Sequence, residues 1–600
     1  MAKVALITLY EVDYIGTRVL ANYLNKHGHE AHIIHLKKSN PQFFYSAAEN
    51  HYGYQGISLN GRVYRNRLDT NQITETEFAF LTRALEEFKP DIIGISARSL
   101  HNTLMPRLIQ ACRTYKPDCF LVAGGFGPSL DVDYYLTTGF NAVIRGEGEE
   151  ALYELTEAIE KNTDWKSIQN VSYLEHGQLI ENSMRPQIKN LDEYEAPLYG
   201  DEYCSFIENN TWYKNHDEQL KSQIYVTLLG RGCVGKCTYC CGGQWYDQYR
   251  KDNRIVYKRR NRSLDNIFQE LHQVTKMNSK YIGFTDELFS APTDELKEFF
   301  TRYKKEIGLP FFMYLNYTQL LKHPDVFELA LDAGWQSTGI GLQSGSEKLT
   351  HQLYARHNKN EEYIAYAKIL FDNNIITLIH VLGGNCYETE EDFDQTLAVI
   401  KQLPFDIFCP AKTGIQVFRL MPHPKTRILE LAPRVLTDPM PAKEWLYRGA
   451  LCHIRRITTD KEFSEIRRNA FFKENPDLLL ALYKNILTKQ QYAKMQNLAA
   501  ELQGKSIIFY GAGDLYQRNK HFFKNCKPIA MLLDDEYICN DTHEIDGIPV
   551  YPVSKVHEFD STCPIIVFAG LAPMLQRKLE RQHKIDRQRI HAISQVITNW

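Results

Sequence analysis

Apolar runs of four to eight residues alternate with amphipathic stretches along most of the chain, in three successive series. The first holds VALITL from Val4, AHIIHL from Ala31, DIIGIS from Asp91, FLVAGG from Phe120 and AVIRG from Ala142, with helical patterns between them. Strands that alternate with helices predict an open parallel sheet covered on both faces. Lys38 to Gln72, rich in Tyr, Asn and Gly, interrupts this series and reads as a long inserted loop, a candidate cover for a ligand. The second series runs from Ile224 to about Leu431 through IYVTLL, YIGFTD, FFMYLN, STGIGLQS, TLIHVLG and IQVFRL. Six such strands predict a second parallel sheet of partial-barrel type. The third opens with KSIIFYGAGD at Lys505 and runs to Trp600.

The fold class is therefore α/β throughout. Residues 1–160 form a doubly wound, Rossmann-like domain, and 161–220 a linker with a short hairpin from Asn170. Residues 221–432 form a partial (β/α)6 TIM barrel, 433–503 a helical connector without evident chemistry, and 504–600 a small Rossmann-like domain.

Composition narrows the class of protein. A chain of 600 residues, 44% hydrophobic and 24% charged, has the make-up of a folded protein and excludes disordered or collagen-like classes. Seventy basic against 73 acidic residues leave a net charge of −3, which predicts no attraction to nucleic acid. No apolar run approaches the ~18 residues of a membrane span, and the amino terminus has no secretory pattern, so a cytoplasmic location is expected.

Cysteine changes the picture most. Thirteen in 600 are too few for a disulfide scaffold, yet Cys233, Cys237, Cys240 and Cys241 crowd into nine positions. Cys233-x-x-x-Cys237-x-x-Cys240 directly follows IYVTLL, at the carboxyl end of a strand, where α/β folds place their sites. Thiolates suit zinc or an iron–sulfur cluster, and no companion pair at zinc spacing is evident. Three thiolates hold three corners of a [4Fe–4S] cube and leave the fourth iron open. Cys241 reads as a bystander.

CVGKCTYC resembles the CxxxCxΦC signature of radical S-adenosylmethionine (SAM) enzymes, with Tyr239 as the aromatic residue. The resemblance covers about residues 220–430. It implies a [4Fe–4S] cluster on Cys233, Cys237 and Cys240 whose free iron binds SAM, and an external electron donor such as flavodoxin or ferredoxin. It further implies that Asp286 and Glu287 contact the methionyl ammonium, that Gln343 and Ser344 contact the ribose, and that Gly383 and Gly384 lie beside the adenine. Arg356 and Lys359 are weaker candidates for the methionyl carboxylate.

The first domain resembles cobalamin-binding domains. YEVDYIG places Glu11, Asp13 and Gly16 after the first strand, at the position of that family's D-x-H-x-x-G loop. Ser96, then Gly124, Gly125 and Gly127, then Arg145, Gly146, Glu147 and Gly148 in RGEGE, stand at the later strand ends where the resemblance implies contacts to cobalamin. The departure is Asp13, which replaces the cobalt-ligating histidine, so no imidazole from this loop serves as lower ligand. His35 and His101 read as structural or surface residues.

At the carboxyl terminus, Gly511-x-Gly513 after a strand and Asp534-Asp535 about twenty residues later give two-thirds of a dinucleotide fingerprint, with Tyr516 at the third glycine position. A structural or substrate-recognition domain is the favoured reading. Together these features predict a cobalamin-dependent radical SAM methyltransferase acting on an unactivated carbon of a small molecule, with a peptide as second choice. The alternatives are a cyclisation, ring contraction or rearrangement on the same cofactors, and a non-catalytic cobalamin sensor or carrier.

Overall fold

The computed structural model describes residues 1–10, 14–37, 56–57, 63–64, 73–194, 196–277, 279–420, 423–538, 543–570 and 572–595. Glu11, Asp13 and most of the 38–72 insertion fall outside the described residues. Three parallel-rich sheets match the three series of apolar runs.

The first sheet has nine strands: β1 (Lys3–Leu9), β2 (Glu30–Leu36), β3 (Ile92–Ser96), β4 (Phe120–Gly124), β5 (Ala142–Ile144), β6 (Val171–Glu175), β7 (Gln178–Glu181), β8 (Cys204–Glu208) and β9 (Thr211–Tyr213). Their order is β9-β8-β2-β1-β3-β4-β5-β6-β7. Its central strands are parallel and nearly fully buried, which explains their unbroken apolar character. The switch point of the sheet lies between β1 and β3, above which α1 (Ile15–Lys26) begins.

Residues 161–220 are more than a linker. The hairpin β6–β7 extends one edge of this sheet, and β8, parallel to β2, extends the other. The segment is anchored by a buried ion pair between Arg18 on α1 and Asp217, 2.7 Å apart with both side chains fully enclosed, beside buried His35. Hydrophobic periodicity cannot show such long-range pairing, because β6 to β9 are only three to five residues long.

The second sheet is the partial barrel: β10 (Ile224–Thr227), β11 (Tyr281–Phe289), β12 (Phe311–Leu315), β13 (Trp335–Gln343), β14 (Ile376–Gly383) and β15 (Thr413–Arg419), parallel and in chain order. Two-residue strands at Gly56–Ile57 and Val63–Tyr64 from the insertion add an antiparallel edge to β15. Outward residues such as Ile282, Phe284, Met313, Ile379 and Val417 join the helix-packed core. The helices of 433–503 belong to that same core rather than to a connector: Trp445, Leu451 and Ile454 on α4 (Ala442–Ile457) and Leu479 and Tyr483 on α5 (Pro476–Glu501) are buried in it. None of the described helices is long and apolar enough to cross a membrane.

The third sheet, of residues 506–593, is parallel but for one two-residue edge strand, as a Rossmann-like unit requires. Tyr516 is buried against Phe509 and Phe568, so the missing glycine is a core residue. Asp534, the acidic residue of the fingerprint, accepts hydrogen bonds from Tyr510 Oη at 2.6 Å and Lys578 Nζ at 2.5 Å. Both features fit a structural unit better than a nucleotide site.

Candidate active site

The cysteine loop leaves β10 and is shaped by its own backbone. Gly232 has φ +92°, and a Cβ there would collide with Tyr246 Oη and Lys258 O. Cys233 N donates to Tyr246 Oη at 2.8 Å, which pins the loop to α3 (Cys241–Asp252). The N–H groups of Gly235 and Gly242 point at the sulfurs of Cys233 and Cys240, at 3.3 and 3.5 Å. Arg356 Nη1 lies 3.6 Å from Cys237 Sγ and its Nη2 donates to Gly341 O at 3.0 Å. Tyr239 packs edge-on against Tyr354.

Donor N–H groups and a guanidinium surround the sulfurs, an arrangement that suits ligated thiolates. In the free thiols, burial pushes Cys233 up, and the neighbouring Cys241 thiol together with burial pushes Cys240 up. A tetrahedral zinc would draw its thiolates to within about 4 Å of one another, given Zn–S bonds of ~2.3 Å. Among the described residues, the groups converging to within 4.8 Å are His35–Cys204–Asp217 and His29–Glu157–Glu160, and the cysteine trio is not one of them. A [4Fe–4S] cluster takes each thiolate on a separate iron and needs no such convergence. Cys241 opens α3, and contact with the Cys240 thiol lowers its own pKa.

Asp286 and Glu287 have opposite surroundings. Asp286 is fully buried and accepts from Leu229 N and Gly230 N, each at 2.9 Å, and from Arg259 Nη2 at 2.6 Å. It therefore holds the strand exit beneath the cysteine loop and is not free for a ligand ammonium, contrary to the expectation. Glu287 lines the cavity with an accessible side chain, makes no ion pair among the described residues, and has its carboxyl pushed up by the desolvating walls of the cavity and by Asp286. A cationic ligand group fits it.

The other SAM positions divide in the same way. Gln343, at φ +64°, ends β13 and folds over Gly341 beside Arg356. Ser344 is buried, with its Oγ 3.2 Å from Thr396 Oγ1 and accepting from Ser346 N, so it is structural rather than a ribose contact. At Gly383 and Gly384 an added Cβ would meet Trp445 at 2.9 Å and Arg419 at 3.0 Å, so both serve close packing. Lys359 is exposed ahead of a helix.

A cavity of about 560 Å³ runs from the first domain to the cysteine loop. Gly16, Ser96, Gly124, Gly125, Gly146, Glu147 and Gly148 line one side, and Cys233, Trp245, Thr285 and Glu287 the other. At Gly125 (φ +99°) an added Cβ would lie 3.0 Å from Ala97 O, and a Cβ on Gly124 would enter open space. A flat ligand lying on these strand ends would meet bare backbone, which suits cobalamin. No histidine is found among the described residues lining it.

Three positions depart from the expected cobalamin role. Gly127 packs under Tyr135 and Arg98, while Arg145 turns away to Asn182 O and Glu181. Glu147 is ion-paired to Arg260, with Arg231 at 3.5 Å, and Glu149 pairs with Arg231 at 2.5 Å. RGEGE thus clamps the loop that carries Cys233. Sequence reasoning missed Arg231, Arg260 and Trp245. Basic KRRNR facing acidic RGEGE, and aromatic Trp245, Tyr246 and Tyr249 at helical spacing, were the available signals.

Comparison with known proteins agrees with this geometry. Residues 4–156 match the B12 binding domain and residues 227–400 the Radical SAM superfamily. The chain is a radical SAM enzyme with a cobalamin-binding domain. Its cofactors are accordingly a [4Fe–4S] cluster, SAM and cobalamin.

An uncharacterised methyltransferase of Pyrococcus horikoshii is 23% identical over 412 residues, 67% of this chain and 83% of that one. An anaerobic magnesium-protoporphyrin IX monomethyl ester cyclase of Rubrivivax gelatinosus is 23% identical over 337 residues, 54% of this chain and 56% of its own. Among solved structures, the radical SAM methyltransferase TsrM of Kitasatospora setae, with cobalamin and [4Fe-4S] cluster bound, has a TM-score of 0.52 at 15% identity, covering 74% of this chain and 80% of that one. The cobalamin-dependent SAM radical enzyme OxsB has a TM-score of 0.54 at 14% identity, covering 84% and 72%. These likenesses establish the fold.

Proposed function

We propose that this enzyme is a cobalamin-dependent methyltransferase that methylates an unactivated carbon of a small, natural-product-type molecule, with a peptide as second choice and flavodoxin or ferredoxin as electron donor. One observation carries the reading: the glycine-lined strand ends of the first domain and Cys233 and Glu287 of the barrel border a single cavity. When bound, the cluster supplies the electron that cleaves SAM to a carbon radical, and cobalamin supplies a transferable methyl group.

The chain's own work is placement and exclusion. Cys233, Cys237 and Cys240 would hold the cluster, and Arg356 Nη1 stands 3.6 Å from the Cys237 sulfur. Glu287 would hold the ammonium of SAM. The Glu147–Arg260 and Glu149–Arg231 pairs keep the two cofactor sites at a fixed separation. The cavity shields reactive centres from water.

Anaerobic reconstitution with iron, sulfide and cobalamin, followed by mass spectrometry, tests this. Formation of both 5′-deoxyadenosine and S-adenosylhomocysteine with a product gain of one CH₂ is expected, and Cys237→Ala abolishes the first. Complete turnover without that mass gain overturns methyl transfer. It would favour the rearrangement reading, to which the similarity to a cyclase lends specific support.

A further inference from the structure

The barrel's inner face carries a polar pair that neither cofactor site accounts for. On β14, Ile379 and Val381 point outward into the helix-packed core, so His380 between them faces the lumen. On β15 the same alternation puts Gln416 inward between Ile415 and Val417. His380 and Gln416 are register partners on these adjacent strands, and so stand side by side at one height.

Both present an enclosed polar atom: among the described residues, His380 Nε2 and Gln416 Oε1 have no hydrogen-bond partner. Gln416 is only 5% exposed, so this is an interior amide rather than a solvated one. An unmet polar atom in a protein interior is costly, and two neighbours on one face call for a ligand that satisfies both.

The walls around the pair are aromatic. Phe418 stands 5.2 Å from the His380 ring at 81°, and Tyr314 stands 6.3 Å away at 61°. Gly339 allows this approach, since a Cβ there would press on both Tyr314 and His380. Toward the mouth lies Arg356, already committed to Gly341 O and the Cys237 sulfur. Burial, reinforced by the charge of Arg356, holds His380 down to about 4, so its ring is neutral at working pH.

We propose that His380 and Gln416 form the polar end of a substrate pocket that recognises a neutral planar cis-amide edge, as in a lactam, pyridone or pyrimidinone. The substrate N–H donates to Gln416 Oε1, His380 Nε2–H donates to the substrate C=O, and Tyr314 and Phe418 flank the ring. Carboxylates and phosphates are disfavoured, because the pair offers an acceptor and no net charge. This assignment rests on the reading of the barrel lumen as the substrate chamber of the proposed methyltransferase.

Binding of three probes to the reconstituted holoenzyme, measured by calorimetry or ligand-observed NMR, tests the pocket without any turnover. 2-Pyridone carries the full edge, 2-methoxypyridine lacks the N–H, and benzoate is anionic. 2-Pyridone is expected to bind at least about tenfold more tightly than either. Gln416→Leu and His380→Phe should each weaken it at least about tenfold, and His380→Asn, which retains a donor, by less than about threefold. Equal or tighter benzoate binding, or pyridone binding indifferent to Gln416→Leu, overturns the assignment. The wild-type selectivity alone decides the matter where a variant fails to fold. Pyridone selectivity without any methylated product overturns only the methyltransferase reading, and methylation with benzoate preferred overturns only the pocket.

Discussion

Asp286 and Glu287 are chemically near-identical neighbours, and the fold divides their labour. Alternation along β11 sends one carboxylate under the cysteine loop and the other into the cavity. Asp286→Asn leaves the Arg259 guanidinium, 7% exposed, without its counter-charge. A loss of about 3 kcal/mol in anaerobic denaturant unfolding is expected, as for a broken buried pair. Glu287→Gln should change stability by less than about 0.5 kcal/mol but raise the Kd for SAM at least about tenfold, because it removes a charge that only a ligand meets. Equal effects of the two substitutions on unfolding would contradict this division. The pair DE was legible in the sequence, but which carboxylate was free was not, since that depends on where two N–H groups and Arg259 arrive.

At the scale of elements, the turn between β5 and α2 (Glu149–Lys161) acts as a clasp between domains. Burial opposes ionisation of Glu147, but Arg231 and Arg260 more than offset it and hold the carboxyl below its usual range. A depressed carboxylate stabilises the fold above its unfolded pKa of ~4.3 and loses that contribution as pH falls toward its native value. Glu147→Gln is expected to cost about 3 kcal/mol near neutral pH and to flatten the loss of stability below pH ~4.5 seen in the wild type. It should also lower methylated product more than 5′-deoxyadenosine, since the cluster remains while its alignment with cobalamin slackens. A parallel fall in both products would argue against a clasp. RGEGE was conspicuous in the sequence as a cobalamin mark, yet its carboxylates reach protein partners 82 to 113 positions away. No local pattern encodes such a distance.

At the scale of the molecule, the carboxyl-terminal unit plugs the barrel's floor. Arg577, 6% exposed, donates to Trp335 O at the start of β13, and Arg581 pairs with Glu328 and Asp332 at 2.9 and 3.0 Å. Arg587 donates to Asp372 O at 2.6 Å, and Glu580 accepts from Asn374 at 2.9 Å. All these partners lie at the amino ends of the strands, opposite the cysteine loop. Burial, with Arg581 nearby, lowers Arg577 to about 10. Arg577→Ala combined with Arg581→Ala is expected to speed amide exchange at least about tenfold in 335–340 and 572–581, with strands 3–9 and 92–96 unchanged. Uniform exchange across all of them would rule out a local plug.

The sequence by itself determined the local and the chemical. Apolar runs placed all the strands of the two cofactor-binding sheets' centres, and the cysteine spacing marked Cys233, Cys237 and Cys240 as candidate cluster ligands, because strand formation and metal affinity depend on neighbours in the chain. Tertiary structure alone decided that 161–220 and 433–503 are built into the sheets and the core. It also decided that Asp286 and Ser344 face protein, that Glu147 at the cavity wall pairs with Arg260, that Glu287 faces the cavity, and that His380 and Gln416 meet in the lumen. Those outcomes depend on which distant groups arrive at a given side chain, and the free energy of a polar group is set by that company rather than by its place in the sequence.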